Sequence, residues 1–150
     1  MTESKRWWPR LLLLAGQIVL ACIFIAAGYL KLREPWLQFA VSINSLKIVP
    51  DNMLELFART LPWIELILGI VILTGVWLRW SAAAGSVMLA VFLSVLVRSY
   101  ALGMQVDCGC FGSGEPLGPK TLARDGLMLA LALSVTIGAF LMRRRQSRPA

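Results

Sequence analysis

The sequence predicts an all-α membrane protein: a bundle of four transmembrane helices, both termini cytoplasmic, with an interfacial helix in the first outer loop. Three observations carry that prediction. Hydrophobic residues make up 58% of the chain and charged residues only 15%. The apolar residues gather into runs long enough to cross a hydrocarbon core of about 30 Å at about 1.5 Å per residue. Basic residues cluster beside the first and last runs, at Lys5–Arg10 and Arg143–Arg148, as they do on the cytoplasmic flanks of membrane helices.

The first span is Leu11–Leu30, twenty residues without a charge. Within it Val19-Leu20-Ala21-Cys22 has the outline of a lipoprotein cleavage site. The apolar run continues past it through Ile23-Phe24-Ile25, and Leu20 is bulky for its place, so Cys22 is read as a packing thiol inside the span. In the loop that follows, Pro35 opens a short helix on which Trp36, Phe39, Ala40 and Ile43 share one face, a pattern suited to the membrane interface. Asn52 with Glu55 three residues later is a capping-box signal. The second helix is therefore expected to begin above the bilayer, bend at Pro62 and span at 61–78.

Arg79-Trp80-Ser81 is read as the turn into a third span at 81–102, which must lie antiparallel beside the second. The next loop holds Gly109, Gly112, Gly114, Pro116, Gly118 and Pro119, too broken for helix or strand. The fourth span, 122–142, carries a four-residue stripe of small side chains, Gly126, Ala130, Ser134 and Gly138, suited to close packing inside the bundle. Residues 1–142 form one transmembrane domain, and 143–150 a basic cytoplasmic tail.

Charge sets the orientation. With the N-terminus inside, Lys5, Arg6, Arg10, Arg79, Arg143, Arg144, Arg145 and Arg148 face the cytoplasm against one acid, Glu3. The seven remaining bases are balanced by seven acids on the other side, so the whole net charge of +7 lies on the cytoplasmic face. A membrane orientation signal thus accounts for the basic character, and no nucleic-acid partner is needed to explain it. Trp7, Trp8, Trp77 and Trp80 then fall at the inner interface, with Tyr29, Trp36, Trp63 and Tyr100 at the outer one.

The chemistry centres on Asp107-Cys108-Gly109-Cys110-Phe111-Gly112, which this topology places on the extracytoplasmic side, where disulfides persist. Gly109 allows the tight turn that would bring the two sulfurs within bonding geometry. So small a ring should be strained and labile, a property suited to passing electrons on. Two other readings stay open. A static disulfide would pin the loop, although closing so short a loop removes little chain entropy. A metal site would need further soft ligands, and the chain has no His and one other Cys. Lys120, Arg124 and Arg98 would favour a thiolate, whereas Asp107 would oppose it or accept its proton. Glu65 and Arg98 lie below the outer ends of spans two and three. Charges there pair or line polar cavities, and a Glu65–Arg98 or Glu65–Arg124 pair is expected beneath the cysteine loop.

These residues resemble the DoxX-like superfamily, and the Asp-Cys-Gly-Cys-Phe-Gly loop is similar to its MauE branch of redox-associated membrane proteins. The resemblance runs from Ala26 to about Met142. It includes Ala27-Gly28-Tyr29-Leu30-Lys31, Leu61-Pro62-Trp63-Ile64-Glu65-Leu66, the Cys108/Cys110 loop, and Arg124-Asp125 at the start of span four. It implies an inner-membrane helical bundle, working beside a thioredoxin-like partner in maturation of an enzyme rich in disulfides, such as methylamine dehydrogenase.

The function expected is a thiol–disulfide oxidoreductase component of the bacterial inner membrane. Cys108 and Cys110 would be catalytic, with Asp107, Gly109, Glu65, Arg98, Arg124 and Asp125 in support. No residue specifies a cofactor; a membrane quinone near Glu65 and Arg98 is the acceptor such a relay could use. The rival reading is a non-catalytic assembly subunit whose cysteine loop is a docking surface. A small-molecule carrier would need a polar path to the cytoplasm, and the inner halves of spans one, three and four show none.

Overall fold

The computed structural model describes residues 4–46, 49–104, 107–109 and 111–146; Cys110 lies outside the described residues. In chain order the elements are α1 (Ser4–Arg33), α2 (Trp36–Ser45), α3 (Asp51–Thr74), α4 (Leu78–Ala101), β1 (Asp107–Gly109), β2 (Gly112–Pro116) and α5 (Pro119–Gln146). Four of the helices are long and apolar enough to cross a membrane: Trp7–Arg33, Asp51–Thr74, Leu78–Ala101 and Pro119–Arg143. Their outward surfaces present Ile18, Ile67, Val87, Leu133 and Ile137, side chains that a bilayer would accept and water would not. All eight aromatic residues assigned to the two interfaces are exposed.

α1 lies chiefly against α3, and α4 against α5; the two pairs meet through α1 with α5 and α3 with α4. The central core joins Leu20, Ala21 and Phe24 of α1 to Ile72, Ala82, Ala132 and Val135. Polar groups tie the bundle where lipid offers no partner. Gln17 Nε2 donates to the carbonyls of Ile72 at 2.8 Å and Leu73 at 3.3 Å, which lie in the last turn of α3. Ser86 and Thr136 share a hydrogen bond of 3.1 Å between α4 and α5.

The tight helix contact is between α1 and α3, and glycine makes it. A Cβ at Gly28 would stand 2.7 Å from the Pro62 carbonyl and 2.9 Å from the Leu66 nitrogen; one at Gly69 would stand 2.9 Å from the Ile25 nitrogen and 3.1 Å from the Ala21 carbonyl. Backbone cannot yield there. Gly69→Val is therefore expected to destabilise the bundle by about 1–3 kcal/mol, read as a lower unfolding midpoint in detergent. An unchanged midpoint would contradict this close approach.

Several local expectations are corrected. The small-residue stripe of α5 is not its packing face: Ala130 and Ser134 are exposed, and nothing lies within 4 Å of a Cβ built at Gly126. Only Gly138 meets another helix, at Leu13. The inward positions of α5 are Asp125, Ala132 and Val135, which follow a different stripe. Cys22 is exposed rather than packed, because Ala21 and Phe24 take the inward positions of that turn.

The turn between the second and third spans falls at 75–77, not at Arg79-Trp80-Ser81. Gly75, at φ 72°, supplies the left-handed residue that ends α3, and Trp77, at φ 54°, precedes α4. Gly103, at φ 67°, likewise lies just past the end of α4. The glycine-rich loop contains strands, with a shift of register between Asp107 and Gly109. It forms a two-stranded antiparallel sheet with Asp107 opposite Pro116 and Gly109 opposite Gly112. Backbone pairing tolerates the glycines, and Pro116 sits at the very end of its strand, where a missing donor is harmless.

The short helix after Pro35 is present as α2, and its Phe39 and Ala40 are buried with Ala58 of α3. α3 begins at Asp51, close to the expected start, but its cap position is Pro50 with no side-chain cap, so Asn52 lies inside the helix rather than capping it; the helix runs on through a buried Pro62. α2 and the hairpin contact each other at one end of the bundle, beside the C-terminal end of α1 and the N-terminal ends of α3 and α5. That end holds the candidate site.

Candidate functional site

Two inward stripes converge there. On α1 the buried residues Ala21, Phe24, Ala27 and Gly28 lead to Lys31; on α3, Ala58, Pro62, Glu65, Gly69 and Ile72 share a face. Both follow the spacing of three and four that keeps side chains on one side of a helix. Because α1 and α3 approach closely at Gly28 and Pro62, Lys31 and Glu65 are brought face to face. Lys31 Nζ donates to Glu65 Oε1 at 2.6 Å and Oε2 at 2.8 Å, with both side chains buried. The ammonium also lies 5.1 Å from the Phe39 ring centre and 6.0 Å from that of Phe92, within the range of cation–π attraction.

This pairing corrects the expected partner of Glu65, which is neither Arg98 nor Arg124. Arg98 is exposed, because the inward face of this part of α4 is set by Leu96 and Ser99. The structure does not bring it into the site. Lys31 was overlooked because it stands at the end of the first apolar run, where a lysine ordinarily snorkels to the surface. Its place one turn beyond Gly28, on the stripe that starts at Ala21, was the available signal.

The cysteine hairpin docks on the start of α5. Cys108 is buried, 1% exposed, in a cluster with Leu46 and Leu96 against which Phe92 and Val95 pack. Its Sγ donates toward Asp125 Oδ2 at 3.6 Å, and Arg124 Nη2 approaches the same sulfur at 3.9 Å. Arg124 Nε also donates to Asp125 Oδ1 at 3.3 Å, and its guanidinium lies 4.8 Å from the Phe111 ring centre. The sulfur thus has a carboxylate able to take its proton and a cation able to hold the resulting thiolate.

Asp107, the residue expected to act on the thiol from within the loop, is exposed at the start of β1, as is Lys120 on α5. Asp125 occupies the acceptor's place instead. Gly109 lies in β1 opposite Gly112. Among the described residues no group of three or more His, Cys, Asp and Glu is gathered as metal ligands.

A cavity of about 620 Å³ joins the two charged clusters. Lys31, Glu65 and Asp125 are its charged lining residues, and aliphatic and aromatic side chains supply nearly all the rest. Leu46, Phe92 and Val95 belong both to its wall and to the cluster around Cys108. A shallower hollow of about 850 Å³ lies near the opposite end, between Leu13, Trp77 and Arg143, and its lining includes no carboxylate or thiol.

The family described as methylamine utilisation protein MauE matches residues 9–138. The chain is 30% identical over 131 residues to the methylamine utilization protein MauE of Paracoccus denitrificans, an alignment covering 85% of this chain and 70% of that relative. No solved structure gives a significant match.

Proposed function

This chain belongs to the MauE family of methylamine utilisation proteins, and from that premise we propose that it is a thiol–disulfide relay of the bacterial inner membrane. In this reading the basic clusters face the cytoplasm, α2 lies along the outer interface, and the hairpin faces the periplasm. The observation that carries the reading is the arrangement at Cys108: a buried thiol between a carboxylate at 3.6 Å and a guanidinium at 3.9 Å. A merely structural cysteine needs neither a proton acceptor nor a cation.

The burial of Cys108 assigns it the inner role, with Cys110 as the sulfur that meets a partner. In the oxidising direction, a thiolate of a thioredoxin-like periplasmic protein attacks Cys110 in the Cys108–Cys110 disulfide. The S–S bond breaks and Cys108 leaves as a thiolate, stabilised by Arg124 and protonated through Asp125. The partner's second thiolate then displaces Cys110, so the partner carries the new disulfide and the relay holds two thiols. An enzyme with many disulfides, such as methylamine dehydrogenase, is the end recipient this reading favours.

The alternative is a non-catalytic docking subunit, and one variant separates the two. In cells that depend on this protein for growth on methylamine, the Cys108→Ser/Cys110→Ser chain is expected to accumulate normally in the membrane but abolish growth. Growth at the native rate would show that the loop only docks.

A further inference from the structure

We propose that the cavity joining Lys31–Glu65 to Asp125–Cys108 is a binding site for the ring of a lipid-soluble quinone entering sideways from the bilayer. The inference rests on the relay reading for its chemistry but not for its geometry.

The way in is set by exposure. Met53 and Phe57 of α3 and Val91 of α4 line the cavity, yet they are 48%, 45% and 60% exposed. Val91 lies midway along the membrane-length segment Leu78–Ala101, and Met53 and Phe57 stand in the first two turns of α3, at the outer interface. The cavity therefore reaches the lipid-facing surface between α3 and α4. A ligand using that mouth comes from the hydrocarbon phase, and the apolar walls suit a ring with an aliphatic tail. The volume lies within the range of about 300–1,000 Å³ that holds small organic ligands.

The inner end fixes the ring's chemistry. An ammonium carries three N–H groups, and two of those on Lys31 are directed at Glu65. A third can donate to a ligand carbonyl, an interaction that a simple acyl chain has no group to accept. Phe39 and Phe92, which flank Lys31, line the cavity, and their faces suit stacking on a flat ring. Asp125 lies on the wall with Cys108 behind it, so one carboxylate touches both the thiol and the cavity.

The redox step balances. Two S–H bonds of the reduced cysteine pair break and one S–S bond forms. The two electrons and two protons pass to the quinone's carbonyl oxygens and give the quinol, with Asp125 and Lys31 placed to move the protons. This restores the disulfide that the next partner consumes.

The test uses the full chain in lipid nanodiscs with a photoreactive azido-benzoquinone bearing a decyl tail. Labelled residues are mapped by mass spectrometry, and the reduced protein is then mixed with decyl-benzoquinone while ultraviolet absorbance follows quinol formation. Labels are expected on Met53, Phe57 and Val91, displaced by excess decyl-benzoquinone but not by decane or added phospholipid. Val91→Trp, which fills the mouth, should cut labelling about tenfold. Ile67→Trp, an exposed α3 residue outside the cavity lining, should leave it unchanged. Labelling insensitive to Val91→Trp, or displaced equally by decane, overturns the site. Site-specific labelling without quinol formation would uphold the site while removing the relay. Cysteines that cycle with thiol reagents but neither bind nor reduce the quinone would uphold the relay while removing the site.

Discussion

Asp125→Asn is expected to slow disulfide formation at Cys108 by about 100-fold, the lower end of what a positioned general base contributes. The substitution keeps the size of the side chain and its place on the buried face of α5, but removes the negative charge. Asp125 is only 3% exposed, so bulk buffer cannot readily replace it as proton acceptor. Arg124 remains beside the sulfur, and the variant isolates proton transfer from charge stabilisation. The measurement is the rate at which Cys108 displaces a small aliphatic thiol from its mixed disulfide with Cys110, followed by timed alkylation. Raising the pH should recover much of the lost rate, because hydroxide then supplies the thiolate that the carboxylate no longer generates. A misfolded variant would not recover in that way. An Asn variant as fast as the native chain would remove Asp125 from the mechanism.

The second large effect concerns stability. Lys31→Met should destabilise the protein by about 3–5 kcal/mol, since it strands the Glu65 carboxylate in a buried site. The pair itself need not be strongly favourable, because both ions lose solvation. Lys31→Met combined with Glu65→Leu is therefore expected to recover most of the loss. Unfolding midpoints of native, single and double variants in one detergent decide the point. If both variants match the native chain, the contact is a surface interaction worth at most about 1 kcal/mol, and the buried pairing is wrong.

The helical plan was legible because lipid imposes it. A chain crossing a hydrocarbon core must satisfy its backbone internally, so long uncharged runs can only be helices here. The family resemblance drawn from the cysteine loop and the flanks of spans one, two and four is borne out by the family match. What the sequence conceals is which side of each helix faces inward. In a soluble bundle a polar face would mark the outside, but the lipid-facing positions here are as apolar as the core. Arg98 and the Ala130/Ser134 stripe therefore looked as suitable for the interior as Asp125 and Val135.

The site was half legible for the same reason. Cys108 and the Arg124-Asp125 pair stood out as chemistry, and the structure brings these three together. Their geometry depends on the hairpin's fold onto α5, a contact between segments with no periodic pattern to read. Lys31 required knowing that Gly28 permits α1 to approach Pro62. That fact belongs to two helices at once and to neither sequence segment alone.

The central claim is that the cysteine loop works by changing redox state. Its most direct test is alkylation and mass spectrometry of Cys108 and Cys110 in intact membranes across a series of applied potentials. The account predicts one reversible two-electron transition at an oxidising potential, shifted in the Arg124→Gln chain, which lacks the cation beside the sulfur. A cysteine pair that stays in one state across the whole range would contradict it and leave the loop as a docking surface.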